Sequence, residues 1–263
     1  MVMKVNTYNT VWITGTPRTG SMWTTNVVRE ILKSADFKPL PELQFQAEEE
    51  WLRLYTEKSL RDQNQENKYV LKTHQILNPG LPRSRYITNV RNPYDVCASF
   101  YQFMKCDVER AIAVALSLKH TIAHYKSFEA DSLHIVAYDE IETNPTSAIL
   151  KLARFLNCNL DDKSVEHIEM RFCKERTVSI ISENEQRLNY KIQNRKPISK
   201  IEIVQLSPTN YRSFDPETGF QSGHVSNRKS GQWRQVFSTD QISKIILALD
   251  SAAVELGYKS ELI

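Results

Sequence analysis

The chain has 263 residues, 41% of them hydrophobic and 25% charged; these proportions suit one large α/β domain with a buried core and exclude disorder, a collagen-like fibre and a coiled coil. Lys and Arg exceed Asp and Glu by 34 − 31 = +3, too mild an excess for a protein that wraps nucleic acid, so an anionic ligand must be met by local placement of charge. Cys97, Cys106, Cys158 and Cys173 make no Cys-x-x-Cys pair and have no histidine at zinc spacing, which argues against a bound metal or a disulfide framework.

The opening residues lack an apolar leader and a small-residue cleavage site, and no apolar run reaches the roughly 20 residues that cross a bilayer. The expectation is a cytoplasmic protein without a membrane partner. Thr10 to Thr14 reads as a strand ending in a Gly/Pro/Thr cluster, and from Met22 a helix follows with Trp23, Val27, Val28, Ile31 and Leu32 on one face. Tyr69 to Lys72 and Tyr86 to Val90 read as two further buried strands. After the second, Asn92 is a helix cap with Pro93 at the first helical position, and Val96, Phe100 and Phe103 carry the buried stripe. A fourth strand, Leu133 to Ala137, leads to a similar start at Asn144 and Pro145, whose helix buries Ile149, Leu152, Phe155 and Leu156. Ser238 to Gln241 forms a capping box that opens a last helix, closed by Gly257. Strands alternating with helices predict an α/β fold with a central parallel sheet. Residues 38–66 and 174–230 are polar, break the alternation, and fit either lids and substrate loops or plain solvated excursions.

The chemistry is concentrated in three places. Gly15 to Trp23 lies between a strand and a helix, and Gly15 and Gly20 have the spacing of a nucleotide-phosphate loop. Glycines there let backbone N–H groups converge on an anion at the positive end of a helix. The Lys-Ser/Thr pair that should follow Gly20 is replaced by Ser21 and Met22, and the cation is Arg18 inside the loop, which argues against a magnesium-dependent triphosphatase. Lys72, Thr73 and His74 end the next strand, where ligand crevices of open parallel sheets lie. Arg91 ends another, eight residues before Ser99. An arginine fork suits a phosphate dianion, although Asp95 pairing with a nearby arginine on a capped helix would also account for part of this segment.

These segments resemble the sulfotransferases that use 3′-phosphoadenosine 5′-phosphosulfate (PAPS). Pro17, Arg18, Thr19, Gly20, Ser21, Met22 and Trp23 align without a gap with that family's Pro-Lys/Arg-Ser/Thr-Gly-Thr/Ser-Thr-Trp loop; Met22 departs from it by removing a hydroxyl. Lys72 to His74 is similar to its Lys-Thr/Ser-His tripeptide, and Arg91 to Ser99 to its Arg-Asn-Pro-x-Asp-x-x-x-Ser element. Gly231, Gln232 and Trp233 resemble its C-terminal Gly-Asp-Trp, with Arg228 and Lys229 closer than usual and the first glycine missing.

The resemblance implies a P-loop-type fold over one domain, residues 1–263, with acceptor or lid insertions at about 38–66 and 174–230. It implies His74 as catalytic base, Lys72 and Arg18 as transition-state cations, and the loop Arg18 to Trp23 on the phosphosulfate. Arg91 and Ser99 would hold the 3′-phosphate, with Arg228 and Lys229 reaching a phosphate. Tyr138 and Trp23 would contact adenine, with Phe172 as a second adenine face. The reaction expected is sulfonyl transfer from PAPS to a hydroxyl or amine of an acceptor, releasing adenosine 3′,5′-bisphosphate (PAP) without a metal. A small-metabolite kinase would need magnesium and a lysine after Gly20. A non-catalytic nucleotide or anion binder would have no use for Lys72 beside His74. The remaining histidines, His224 among them, are expected to be packed or solvent-facing, and neither the acceptor nor the oligomeric state is legible.

Overall fold

The computed structural model describes residues 8–207, 210–225 and 228–262; the reading of the extreme N-terminus falls on residues 1–7, outside the described residues. Strands β1 (Thr10–Thr14), β2 (Lys38–Leu40), β3 (Asn67–Lys72), β4 (Ser84–Val90) and β5 (Leu133–Ala137) form one sheet in the order β2-β3-β1-β4-β5, every pair parallel. Helices α1 (Ser21–Ser34), α3 (Pro93–Met104), α4 (Val108–Lys126), α5 (Tyr138–Thr143), α6 (Pro145–Phe155), α7 (Asp162–Phe172) and α9 (Thr239–Glu255) flank it. This is the predicted α/β architecture of P-loop type.

Alternation along the strands sorts the core into two faces. Val11 and Ile13 of β1, Val70 of β3 and Ile87 of β4 pack with Val27, Val28 and Ile31 of α1 and with Ile149 and Leu152 of α6. Trp12, Tyr69, Leu71 and Tyr86 point the other way, toward Trp51, Tyr125 and Phe128. A third cluster joins α3, α4 and α9 through Tyr94, Leu118, Trp233 and Leu249. The capping predictions have direct counterparts: Asn92 accepts from Tyr94 N, Asn144 accepts from Ser147 N, and Ser238 and Gln241 form a reciprocal box at the start of α9.

The two polar stretches are not plain loops. Residues 38–66 contain β2, the short helix α2 (Glu48–Leu54) and a π turn, Tyr55–Ser59. Residues 174–230 open with α8 (Lys174–Gln193), followed by an antiparallel pair, β6 (Ile203–Ser207) and β7 (Asn210–Ser213). Only Thr177, Ile181, Asn184 and Leu188 of α8 are buried. Two of those four are polar, so the helical period of the segment carries little hydrophobic contrast.

Candidate active site

Because the strands are parallel, the carboxyl ends of β1, β3, β4 and β5 share one edge, and the strand order reverses around β1. That is where an open α/β sheet has its crevice. The next residues along the chain are Gly15 to Gly20 after β1, Thr73 and His74 after β3, Arg91 after β4, and Tyr138 after β5. The sequence signals thus converge on one edge because the topology ends their strands there.

The loop after β1 holds Arg18 at φ 71°, a left-handed backbone that costs a side-chain-bearing residue on the order of 1 kcal/mol or more. Three bonds fix it there. Arg18 Nε donates to Ser99 Oγ at 3.0 Å, its Nη2 donates to the His224 carbonyl at 2.9 Å, and its own carbonyl accepts from Arg91 Nη1 at 3.0 Å. Burial, and then the nearby Arg91, lower the Arg18 pKa to about 10. Gly20 caps α1 at φ 103°, and a Cβ there would stand 3.0 Å from the Tyr138 ring. Glycine therefore lets the loop lie flush on that ring, over which the Arg91 guanidinium sits at 3.7 Å. The N-terminus of α1 has no side-chain cap and no acidic residue in its first turn, so its backbone donors and positive dipole end are available to an anion.

His74 is fastened to this loop. Its Nδ1 lies 2.6 Å from the Gly15 carbonyl, so Nδ1 carries the proton and donates. The Nε2 lone pair faces Lys72 Nζ at 3.1 Å. Burial and the Lys72 ammonium bring the His74 pKa down to about 3, and burial brings Lys72 down to about 8. The pair is therefore a neutral imidazole receiving a hydrogen bond from an ammonium, a base and a cation side by side.

Three contributors escaped the sequence reading. Glu48, the first residue of α2, accepts from the His74 backbone N at 2.7 Å, and its charge favours the Lys72 ammonium. His224 offers its carbonyl to Arg18, and its ring lies 5.2 Å from Phe103. Arg212 of β7 stacks over Phe103 at 3.9 Å and donates to the Phe103 carbonyl. All three lie in stretches read as polar excursions.

The profile of the sulfotransferase domain family matches residues 9–252. The chain belongs to the sulfotransferase family. Luciferin sulfotransferase from Photinus pyralis is 27% identical over 143 residues, a match spanning 47% of this chain and 38% of that protein. Among solved structures, mouse sulfotransferase SULT7A1 complexed with PAP shares the fold at TM-score 0.56 and 12% identity, over 95% of this chain and 88% of that one. Retinol dehydratase in a complex with retinol and PAP gives TM-score 0.57 and 14% identity, over 97% and 83%.

In this sulfotransferase the other sequence-read residues are placed as follows. Thr19 is buried and donates from Oγ1 to the Thr16 carbonyl at 2.8 Å, and Ser21 opens α1. Met22 reaches across to the segment beyond β7: a Cβ on Gly219, at φ 72°, would come within 2.5 Å of the Met22 methyl. The departure from the family loop thus creates a contact with a glycine whose left-handed backbone other residues rarely adopt. Trp23 packs partly buried against the α1 core, and Phe172 is 3% exposed within the same cluster. Arg228 donates to Gln102 on α3 at 2.8 Å, while Lys229 is exposed. Asp95 accepts from Gly231 N at 2.8 Å, tying the C-terminal segment to the first turn of α3. Among the described residues, Asp95 makes no ion pair with an arginine.

Glu48 positions His74 through its main chain. Glu48→Ala is expected to lower kcat about tenfold, equivalent to about 1.4 kcal/mol, with Glu48→Gln keeping most of the rate because its amide oxygen still accepts from His74 N. Both changes remove the charge that favours the Lys72 ammonium, so both should move the alkaline limb of kcat/KM to lower pH. An unmoved limb would reduce Glu48 to a structural cap.

Proposed function

We propose that this sulfotransferase moves the sulfonyl group of PAPS to a hydroxyl or amine of a small acceptor, with His74 as the base. The single observation that carries this reading is the joining of the phosphate loop to a neutral imidazole: His74 Nδ1 bonds the Gly15 carbonyl, which leaves Nε2 as a proton acceptor beside Lys72. The donor set fits such a nucleotide. Arg18, Lys72 and Arg91 gather around uncapped N–H groups of α1, and among the described residues the buried Arg91 Nε has no hydrogen-bond partner, a donor suited to a phosphate oxygen.

When bound, PAPS supplies the sulfonyl group and, as leaving group, PAP. His74 takes the acceptor proton at Nε2, which requires Lys72 to turn its ammonium away from that lone pair. Lys72 and Arg18 then stabilise the charge that develops in the transition state. Arg91 and Ser99 are assigned to the 3′-phosphate, Arg228 and Lys229 to a phosphate, Tyr138 and Trp23 to adenine, and Phe172, itself buried in the core, to a second adenine face. We assign residues 1–263 to one sulfotransferase domain, in which 38–66 and 174–230 shape the acceptor side. The four cysteines are free thiols, in keeping with a reducing, cytoplasmic setting.

Thermal unfolding separates this reading from a kinase. Millimolar PAP without magnesium is expected to raise Tm by several degrees, corresponding to about 2.7 kcal/mol at a hundredfold excess over Kd. ATP with magnesium should do far less, and [35S]PAPS should label a hydroxyl acceptor from a mixed panel. Equal stabilisation by ATP and magnesium, with no label transferred, would favour the kinase.

A further inference from the structure

The acceptor side of the crevice carries a cation that the nucleotide assignment does not use. Arg212 comes from β7, in the polar stretch 174–230 rather than on the sheet edge. Its guanidinium lies 3.9 Å above Phe103, and that of Arg18 lies 4.2 Å from the same ring. The Phe103 carbonyl accepts from one Arg212 nitrogen. Among the described residues no carboxylate lies within ion-pair distance of Arg212. The neighbouring positions 208–209 and 226–227 are Pro, Thr, Ser and Asn, and so bring none in sequence.

His224 connects this cation to the base. Its ring packs on Phe103, and Nδ1 accepts from Gln221 N at 3.1 Å, which leaves Nε2–H as the ring's donor. Burial keeps this imidazole neutral, reinforced by the positive charges of Arg18, Lys72 and Arg212, and His74 is felt as well. The ring therefore feels His74, Lys72 and Arg212 together. A half-buried, carboxylate-free guanidinium stacked on an aromatic ring is suited to a planar or tetrahedral anion.

We propose that the acceptor is itself an anion: a hydroxyl compound bearing a carboxylate, sulfate or phosphate, whose anionic group docks on Arg212 beside Phe103 and His224 while its hydroxyl meets His74. This rests on the sulfotransferase reading above and names the substrate class for that site. An acidic group placed there pairs with Arg212 and accepts from the His224 Nε2–H. A neutral twin of the same shape leaves both donors unanswered, the kind of difference by which a polar site discriminates strongly.

The test uses matched acceptors that differ only in charge: 4-hydroxyphenylacetate and its methyl ester, N-acetyltyrosine and its amide, and 12-hydroxydodecanoate and its methyl ester. Binding is read by calorimetry on enzyme saturated with PAP, and turnover with [35S]PAPS. At least one anionic member is expected to bind about tenfold or more tightly than its twin, with kcat/KM following and the preference shrinking as salt rises. Arg212→Gln should bring the ratio close to one, and Arg212→Lys should retain part of it. The proposal is overturned if no anionic member outbinds its neutral twin, if the ratio survives in Arg212→Gln, or if that variant loses PAP affinity instead, which would give Arg212 to the nucleotide. Failure of PAP to stabilise the wild-type protein is a different result, and overturns the reading beneath. The charge-paired binding is then repeated without nucleotide, under the same criteria.

Discussion

His74→Ala is expected to lower turnover by about 10²–10⁴-fold while PAP still raises the melting temperature. The imidazole is in the right state for a base before any ligand arrives. Burial and the adjacent ammonium hold its pKa at about 3, so at neutral pH the ring is unprotonated, and the Gly15 carbonyl fixes which nitrogen is free. A base that must accept a proton from a hydroxyl needs help, because a pKa that low is a poor thermodynamic match. Departure of Lys72 from Nε2, together with the negative charge of the incoming donor, raises the affinity of the ring for a proton. Alanine removes the acceptor atom but none of the phosphate-loop donors, so binding and chemistry should separate. Turnover within a few-fold of wild type would place the base on another residue.

Lys72→Met should cost about 10²–10³-fold in kcat, the usual loss when one preorganised donor to a developing anion is removed. The pH profile gives the sharper result. Burial lowers the Lys72 pKa to about 8, so in the free enzyme the ammonium is present below that pH and is lost above it. Accordingly, kcat/KM for PAPS is expected to be level in the neutral range and to fall above about pH 8. Anionic phosphosulfate favours the charged form, which shifts the limb in kcat to higher pH. Lys72→Arg keeps a cation through this range, so its limb should flatten even where the altered geometry lowers the rate. A falling limb that survives unchanged in the arginine variant would assign the titration to a different group.

The sheet was legible because each of its long strands carries a compact β-branched or aromatic run punctuated by a chemical motif, and because Asn-Pro starts mark the helices after β4 and α5. Arg18, Lys72, His74, Arg91 and Ser99 could be read because each stands in a short motif at a strand end or on the helix that follows. The remainder depends on tertiary approach. Arg18 meets His224 across 206 positions of sequence and Glu48 meets His74 across 26, separations over which local pattern is silent. Helix α8 hid because polar Thr177 and Asn184 occupy half of its buried positions. Phe172 is read as an adenine face through the resemblance alone; the spacing Val165, Ile168, Phe172 is that of a helix face turned inward, and all three are buried. Met22 looked like a lost hydroxyl, whereas its value lies in shape, seated against Gly219.

A chain with an excess of only three positive charges gathers Arg18, Lys72, Arg91 and Arg212 around one cleft, where the nearby acids Glu48 and Asp95 offset only part of their charge. Such clustering produces a local electric field out of proportion to the total. Polyanionic nucleotides should therefore be drawn toward the mouth of the crevice during diffusion, giving capture rates that decline as counterions accumulate, without the indiscriminate stickiness of a uniformly basic surface.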